Sequence, residues 1–198
     1  MSHFKVTVVI GNPSEKSRTK VLALALAEAV TEALAEALPA APAVELQVLE
    51  IAKLAPHIVG NGLGRDLPAE GAAAVRAIES ADLVIAATPV YKGSYTGLFK
   101  HLFDLVGPDA LVGRPVLLAA NGGSDRHALV VDHQLRPLFA FFRALTVPSA
   151  VYAAEPDFDG YALRSDALRA RIQEAAAQAA ALLSARLAVP AAAQLATA

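Results

Sequence analysis

Residues 11–19 place hydroxyls and cations in a short segment that could bind an anion. The segment holds three hydroxyls and two cations directly before a predicted helix. Free backbone N–H groups and the helix dipole favour negative charge at such a position. The groups expected to hold a phosphate are the hydroxyls with one of the cations: Ser14, Ser17 and Thr19 with Arg18 or Lys16. Ordinary capping of the helix by Ser14 or Ser17 is the alternative interpretation.

Residues 88–97 form a second segment whose composition is unusual for a simple connector. Tyr91 and Tyr95 can stack on a flat ligand or line its edge, and Gly93 and Gly97 let the backbone approach it closely. A tight turn with both tyrosines partly buried explains the same composition equally well.

A third segment, residues 121–127, brings the Gly122-Gly123 pair to the end of another predicted strand. Its backbone amides would be available to a ligand, although a helix start capped by Ser124 or Asp125 is the simpler interpretation. The first segment matches neither the dinucleotide-binding nor the P-loop glycine pattern, which argues against both of those sites. Together, the three segments suit a flat, phosphorylated heteroaromatic such as flavin mononucleotide (FMN).

Strands and helices alternate along the chain. The predicted strands are 4–10, 44–49, 82–87, 115–120 and 147–153. The predicted helices are 17–38, 68–80, 96–106, 124–143 and 164–187, with a loop over 56–68. This alternation predicts an α/β fold with a doubly wound, five-stranded parallel sheet, in which ligands bind beyond the carboxyl ends of the strands. The three segments follow the first, third and fourth strands, as that rule requires. We expect one domain over residues 1–187 and a loose tail over 188–198.

Composition excludes several classes of function. The chain has 198 residues, no cysteine and a formal net charge of −2. These values argue against nucleic-acid binding through a basic field, and they exclude thiol nucleophiles and cysteine-ligated metal sites. The mean hydropathy of +0.44 raises the question of a membrane protein. Glutamates interrupt the longest apolar stretch, 21–38, and no charged leader opens the chain, so we expect a soluble, cytoplasmic protein.

At these segments the sequence resembles the NAD(P)H-dependent FMN reductase family, which has a flavodoxin-like fold. The resemblance covers about residues 4–158, and the segment 88–97 is its most specific part. The matching residues are Gly11-Asn12-Pro13-Ser14, Ser17-Arg18-Thr19, Thr88 to Gly97, Leu98-Phe99-Lys100, Leu102 to Leu105, Gly122-Gly123, His127 and Leu135-Arg136-Pro137. Within the family, the sequence is most similar to the flavin reductases of two-component alkanesulfonate and methanesulfonate monooxygenases.

The resemblance implies the strand order 2-1-3-4-5, reduction of FMN by NADH or NADPH, and delivery of reduced flavin to a separate sulfonate monooxygenase. It also implies a homodimer or homotetramer and three groups of flavin-binding residues. Those expected at the phosphate are Ser14, Ser17, Arg18 and Thr19. Those expected along the ribityl chain and the ring are Pro89, Val90, Tyr91, Lys92 and Ser94, with Gly122 and Gly123 at the ring's other edge. No catalytic side chain or metal is expected, although Lys92 and Arg126 are possible electrostatic helpers.

His133 marks one departure from the alkanesulfonate type. Those reductases resemble this chain except for an inserted tyrosine that forms a π-bulge at the tetramer interface, and its position is occupied here by His133. The methanesulfonate type is more similar at this point. An inserted residue could still bulge the helix, and the alternative is an ordinary surface or interface histidine.

Two other functions remain open from the sequence. A quinone, azo-dye or metal-ion reductase of the same fold would retain its FMN and reduce a second substrate. A flavodoxin-type electron carrier would not turn over NAD(P)H, but carriers tend to be strongly acidic and this chain is nearly neutral. Closely spaced phenylalanines at 139, 141 and 142 predict a helix with more than one buried face, and therefore association between copies of the chain.

Overall fold

The sheet is parallel and has the order β2-β1-β3-β4-β5, with a sixth strand, β6, also paired to β4. The computed structural model describes residues 4–38, 43–60 and 66–188. The strands of this sheet are β1 (Phe4–Ile10), β2 (Val44–Glu50), β3 (Leu83–Pro89), β4 (Pro115–Gly122), β5 (Leu145–Thr146) and β6 (Val151–Ala154). The predicted doubly wound α/β fold and its strand order are confirmed. The tail predicted to be loose lies, apart from its first residue, outside the described residues.

Helices cover both faces of this sheet, and a small hairpin precedes the last helix. The helices are α1 (Arg18–Ala37), α2 (Ile51–Ile58), α3 (Ala69–Glu79), α4 (Gly97–Asp104), α5 (Arg136–Phe141) and α6 (Asp166–Ala188). The hairpin consists of β7 (Phe158–Asp159) and β8 (Ala162–Leu163). No helix within the described ranges is both long and apolar enough to cross a membrane.

Two apolar clusters fill the two sides of the sheet. On one side α1 and α6 pack against the sheet, with Leu22 and Ile85 in the same cluster. On the other side α3, α4 and α5 pack, with Phe103, Phe139 and Leu118 in contact. The central strand β3 is buried along its whole length, because its successive residues serve the two clusters alternately. The sheet is thereby held rigid under the loops that follow its carboxyl ends.

The predicted loop over 56–68 is wrong in its first part, because α2 continues to Ile58. Pro56 indicated an irregular segment, since proline removes one backbone donor from a helix. Burial outweighs that loss: Ile51 and Ile58, at the two ends of α2, are both fully buried. A Cβ on Gly71 would lie 2.3 Å from the His57 carbonyl oxygen, so this glycine lets α3 pack directly against α2.

The predicted continuous helix over 124–143 is wrong. Its parts are a short 3-10 turn (Asp125–His127), one turn of π-helix (Val131–Leu135) and α5. In the π-turn the Arg136 N–H donates to the Val131 carbonyl oxygen, five residues earlier. His133 lies at the centre of this turn, so the helix is widened at the position that the sequence marked as an insertion.

The predicted fifth strand, 147–153, is also interrupted, because β5 and β6 pair with β4 in succession and leave Val147 to Ala150 between them. Side chains from two helices form hydrogen bonds with the backbone groups in this gap. Arg136 donates to the carbonyl oxygens of Val147 and Pro148, both over 3.2 Å. The Ser149 N–H donates to Gln178 Oε1 of α6 over 2.8 Å. Tertiary hydrogen bonds therefore replace the sheet ladder here, which local sequence does not reveal.

Glu50 joins the edge of the sheet to the start of α1. Its carboxylate accepts hydrogen bonds from Lys20 Nζ over 2.8 Å and from Lys53 Nζ over 2.7 Å, and only 13% of its side chain is exposed. These bonds, that from Lys20 first, hold the pKa of Glu50 below its ordinary value of 4.5.

We expect the ion pairs of Glu50 to stabilise the fold above pH 4.5 and to be lost as the pH falls through the lowered pKa. Glu50→Gln should cost about 1 kcal/mol of unfolding free energy at neutral pH and should flatten the loss of stability in acid. Urea unfolding at a series of pH values measures both. Glu45→Gln, at an exposed position of the same strand, is the matched control and should change neither; equal effects of the two variants would contradict this role of Glu50.

Candidate functional site

Hydrogen bonds tie together the three loops that follow β1, β3 and β4. Thr96 Oγ1 donates to the Gly11 carbonyl oxygen over 2.8 Å, which joins the second loop to the first. The Val90 N–H donates to the Asn121 carbonyl oxygen over 2.8 Å, which joins the second to the third. Thr19 Oγ1 donates to Asn121 Oδ1 over 2.6 Å, which joins the start of α1 to the third. The three segments singled out in the sequence therefore form one continuous surface.

This surface encloses a cleft of about 370 Å³. Eight of the eleven residues expected to bind flavin line it: Ser14, Ser17, Arg18, Pro89, Val90, Tyr91, Gly122 and Gly123. Thr19, Lys92 and Ser94 are absent from the lining. Lys16, the alternative cation expected at the phosphate, also lines it, and three residues that the sequence analysis did not assign complete it: Asn12, Asn121 and Tyr161.

The end of the cleft that was predicted to hold the phosphate is built on the start of α1. Ser17 caps this helix, because its Oγ accepts the Lys20 N–H over 3.1 Å. Capping uses only an acceptor lone pair, so the hydroxyl proton of Ser17 is still available to an anion. The Ser14 N–H donates to Asn12 Oδ1 over 2.7 Å, which shapes the loop ahead of the cap. The capping and the anion-binding interpretations are thus compatible at Ser17.

Arg18 and Thr19, which were expected to share the phosphate, have different surroundings. Thr19 is fully buried and its hydroxyl is used by Asn121, so the structure gives it the role of a tie between loops. Arg18 reaches from the cleft towards the hairpin. Its Nη1 lies 3.0 Å from Glu155 Oε1, and its Nε donates to the Gly160 carbonyl oxygen over 3.1 Å.

Tyr161 enters the site from the hairpin between β7 and β8. Lys16 Nζ lies 4.7 Å from the centre of its ring, a cation–π contact that adds a wall to the phosphate end of the cleft. Sequence analysis missed Tyr161 because only tertiary contacts bring the hairpin here. Asn121 carried a usable indication, since it is a polar residue at the end of a buried strand and directly precedes the glycine pair.

The second loop turns tightly at Lys92 and Gly93. Tyr91 and Ser94 exchange two backbone hydrogen bonds, and the φ angles of Lys92 and Gly93 are 53° and 83°. A turn with two left-handed residues favours glycine or asparagine, so Lys92 adopts this conformation at a cost of about 1 kcal/mol. Lys92 is exposed at the tip, while Ser94 Oγ donates to Gln134 Oε1 of the π-turn over 3.1 Å.

Gly122 and Gly123 of the third loop have different surroundings. A Cβ on Gly122 would lie 2.4 Å from Tyr152 Oη, so the protein itself leaves no room for a side chain. Tyr152 holds this position by donating from Oη to the Ser124 carbonyl oxygen over 2.6 Å, and burial raises the pKa of its phenol. A Cβ on Gly123 would meet nothing within 4 Å, and its φ angle is not left-handed. The space beside Gly123 belongs to the cleft.

Arg126, the other possible electrostatic helper, is exposed on the 3-10 turn after this loop and does not line the cleft. His133 lies elsewhere, in a groove of about 560 Å³ between α4 and the π-turn with α5. This groove is larger than the cleft but mainly aromatic and aliphatic, with Phe103, Phe141 and Phe142 among its residues. It lacks the hydroxyl-rich helix start that an anionic ligand requires, so the cleft is the candidate ligand site.

Comparison with protein families gives an independent indication of the activity. The model of the family described as NADPH-dependent FMN reductase matches residues 4–159. An FMN reductase (NADPH) of Pseudomonas aeruginosa is 49% identical over 93% of this chain and 95% of its own length. The NADH-dependent FMN reductase SfnF of Pseudomonas fluorescens is 50% identical over 92% of this chain and 94% of its own.

Solved structures agree with these sequence matches. An oxidoreductase from Corynebacterium diphtheriae superposes with a TM-score of 0.84 at 36% identity, covering 93% of this chain and 99% of that one. The apo form of the NADH:FMN oxidoreductase EmoB superposes with a TM-score of 0.75 at 27% identity, covering 90% of this chain and 89% of that one.

The contact between Gly122 and Tyr152 predicts that Tyr152→Phe restores the stability lost in Gly122→Ala. Gly122→Ala should lower the unfolding free energy by about 2 kcal/mol, because its Cβ overlaps Tyr152 Oη. Tyr152→Phe alone should cost about 1 kcal/mol through the lost hydrogen bond. The double variant should be no less stable than Tyr152→Phe, because the next nearest atom, Tyr152 Cζ, lies at an ordinary 3.5 Å. Thermal and urea unfolding of the ligand-free protein measure this cycle.

Gly123→Ala is the matched control for this cycle, since its new Cβ meets open space, and it should leave stability unchanged or slightly raised. Additive losses in the double variant would contradict the packing role of Tyr152.

Proposed function

Since this chain belongs to the NADPH-dependent FMN reductase family, we propose that its cleft binds FMN, with the phosphate at the start of α1 and the ring between the second and third loops. The protein is an NAD(P)H-dependent FMN reductase. The proposal therefore concerns which residues of this chain carry that activity and where the reduced flavin goes.

The observation that carries the proposed site is the open space beside Gly123. A glycine is usually explained by a left-handed backbone or by a neighbour that a side chain would strike. Neither explanation applies at Gly123. A ligand that lies against the backbone supplies the missing reason, and a flat ring suits that close approach. The donor set at the other end of the cleft, which includes Ser17 and Arg18, suits a phosphate.

Hydride transfer from nicotinamide to flavin needs aligned rings and little acid–base chemistry. Bound FMN supplies the position that accepts the hydride. In this proposal Ser14, Ser17 and Arg18 hold the phosphate, and Pro89 to Tyr91 with Gly122 and Gly123 orient the ring. Reduced flavin carries additional negative charge, which the ammonium of Lys92 and the guanidinium of Arg126 would compensate from the rim. The strained conformation of Lys92 supports a role for its charge, because glycine fits that turn at lower cost.

We also propose that reduced FMN leaves the cleft and serves a separate sulfonate monooxygenase in the cytoplasm. The likeness of the three loops to reductases of such two-component systems supports this step. So does the position of the cleft, whose Ser14, Tyr91 and Gly123 are exposed to solvent. The test combines the reductase and such a monooxygenase with FMN, NAD(P)H and an alkanesulfonate or methanesulfonate. We expect sulfite to be released.

The activity is tested by following oxidation of NADH and of NADPH with and without added FMN. We expect oxidation to require added FMN and to saturate with it. Protein that purifies yellow and reduces menadione with ping-pong kinetics would instead show an FMN-retaining quinone reductase. A yellow protein without steady NAD(P)H oxidation would show an electron carrier.

Gly123→Ala tests the site itself. We expect it to raise the Kd for FMN at least tenfold, because the new methyl group occupies the space assigned to the ligand, while the ligand-free protein unfolds at an unchanged or slightly higher temperature. Unchanged FMN binding by this variant would contradict the placement of the ring.

The groove at His133 supports a proposal of self-association. Phe141 and Leu129 on this side of the molecule are 68% and 62% exposed, which is unfavourable for large apolar side chains in water. We propose that a second copy of the chain covers this groove to form a homodimer or homotetramer. The hydrogen bond from Ser94 to Gln134 would then connect the flavin loop with the interface.

Phe141→Arg should convert the assembly to monomers, because it places a charge in the covered groove. Sedimentation velocity at micromolar concentration measures this change. Leu46→Arg is the matched control, since Leu46 is an exposed apolar residue on the edge strand β2, and it should leave the assembly intact. A wild-type protein that sediments as a monomer would overturn the proposal.

A further inference from the structure

Glu155 places a carboxylate against the arginine of the proposed phosphate site. Its Oε1 lies 3.0 Å from Arg18 Nη1, and the side chains of Arg18 and Glu155 are 33% and 59% exposed. The Arg18 guanidinium also donates to the Gly160 carbonyl oxygen and lies 5.9 Å from the centre of the Phe158 ring. Arg18 therefore already has a partner for its charge when the flavin phosphate arrives.

The other cations of this region are similarly occupied. Lys20, in the first turn of α1, is paired with Glu50 over 2.8 Å. Lys16 stacks on the ring of Tyr161. Glu15 adds a further carboxylate to the same loop. A phosphate dianion that enters the cleft therefore meets cations that already have partners.

We propose that Glu155 lowers the affinity of the cleft for FMN by competing with the flavin phosphate for Arg18. The carboxylate neutralises the guanidinium and repels the phosphate, so FMN binds as a substrate that exchanges rather than as a resident cofactor. Glu155 is thus an affinity-determining residue for the phosphate. This inference rests on the proposed FMN site and extends it to the question of how the flavin is released.

The alternative role for Glu155 is purely structural, as an anchor of the hairpin through Arg18. The two roles predict opposite results. If Glu155 only anchors the hairpin, removing its charge loosens Tyr161 and weakens flavin binding. If Glu155 competes with the phosphate, removing its charge strengthens flavin binding.

The test compares Glu155→Gln with wild type by titrating FMN and riboflavin against protein fluorescence and flavin fluorescence. We expect the Kd for FMN to fall about two- to fivefold, the size set by partly exposed charges in water. The Kd for riboflavin should not change, because riboflavin has no phosphate. The difference between the variants for FMN should shrink at high salt. Stopped-flow mixing should show slower FMN dissociation by a similar factor.

Asp159→Asn is the matched control, because it removes the same charge from the hairpin that follows Glu155 while the ion pair of Arg18 with Glu155 is retained. It should leave both Kd values unchanged. A Glu155→Gln protein that binds FMN as wild type does, or more weakly, would overturn the inference, as would an equal change for riboflavin. Wild-type protein that bound no FMN would overturn the proposed site together with the inference, so the two failures are distinguishable.

Discussion

The buried hydrogen bond between Thr19 and Asn121 is the constraint on which the site depends. A parallel sheet brings the ends of its strands to one edge but does not specify how the following loops face one another. Thr19 is fully buried, and its bond to the Asn121 side chain sets the start of α1 against the third loop. Thr96 does the same between the second loop and Gly11. Removing the partner of a buried hydroxyl such as that of Thr19 leaves it unpaired, which costs about 1–3 kcal/mol. The cleft is therefore shaped partly by Thr19 and Thr96, which do not line it.

Close approach of backbone is the second requirement of this architecture. A Cβ on Gly11 would lie 2.6 Å from Phe99 and 3.0 Å from the Ala87 carbonyl oxygen, so the first loop passes directly over the base of the second. At Gly122 the volume that a Cβ would occupy is taken by Tyr152 Oη. At these positions the absence of a side chain serves the protein's own packing. At Gly123, by contrast, a Cβ would meet no protein atom within 4 Å. Gly11 and Gly122 are thus required by packing within the protein, whereas Gly123 is not.

The sequence was sufficient for the order of the elements and for most of the cleft, because both follow from local patterns. Apolar runs followed by glycine, asparagine or hydroxyl residues identified β1, β3, β4 and the three loops. The errors have tertiary causes. Helix α2 contains Pro56 and forms because both of its ends are buried. Thr19 stays a predicted phosphate ligand, and only the fold shows that its hydroxyl donates to Asn121. Tyr161 lines the cleft and Glu155 contacts Arg18 from more than 130 residues beyond the first loop, and no spacing rule relates them to it.

The gap between β5 and β6 affects more than the geometry of the sheet. A sheet edge with regular unpaired donors and acceptors is a template on which strands of other molecules can add. At this edge Pro148 has no N–H, the Ser149 N–H is taken by Gln178, and the carbonyl groups of Val147 and Pro148 are taken by Arg136. An approaching strand therefore finds no regular ladder to extend at residues 147–149. The interruption thus removes this part of the margin as a template for strand addition, one of the ways in which natural sheets limit aggregation.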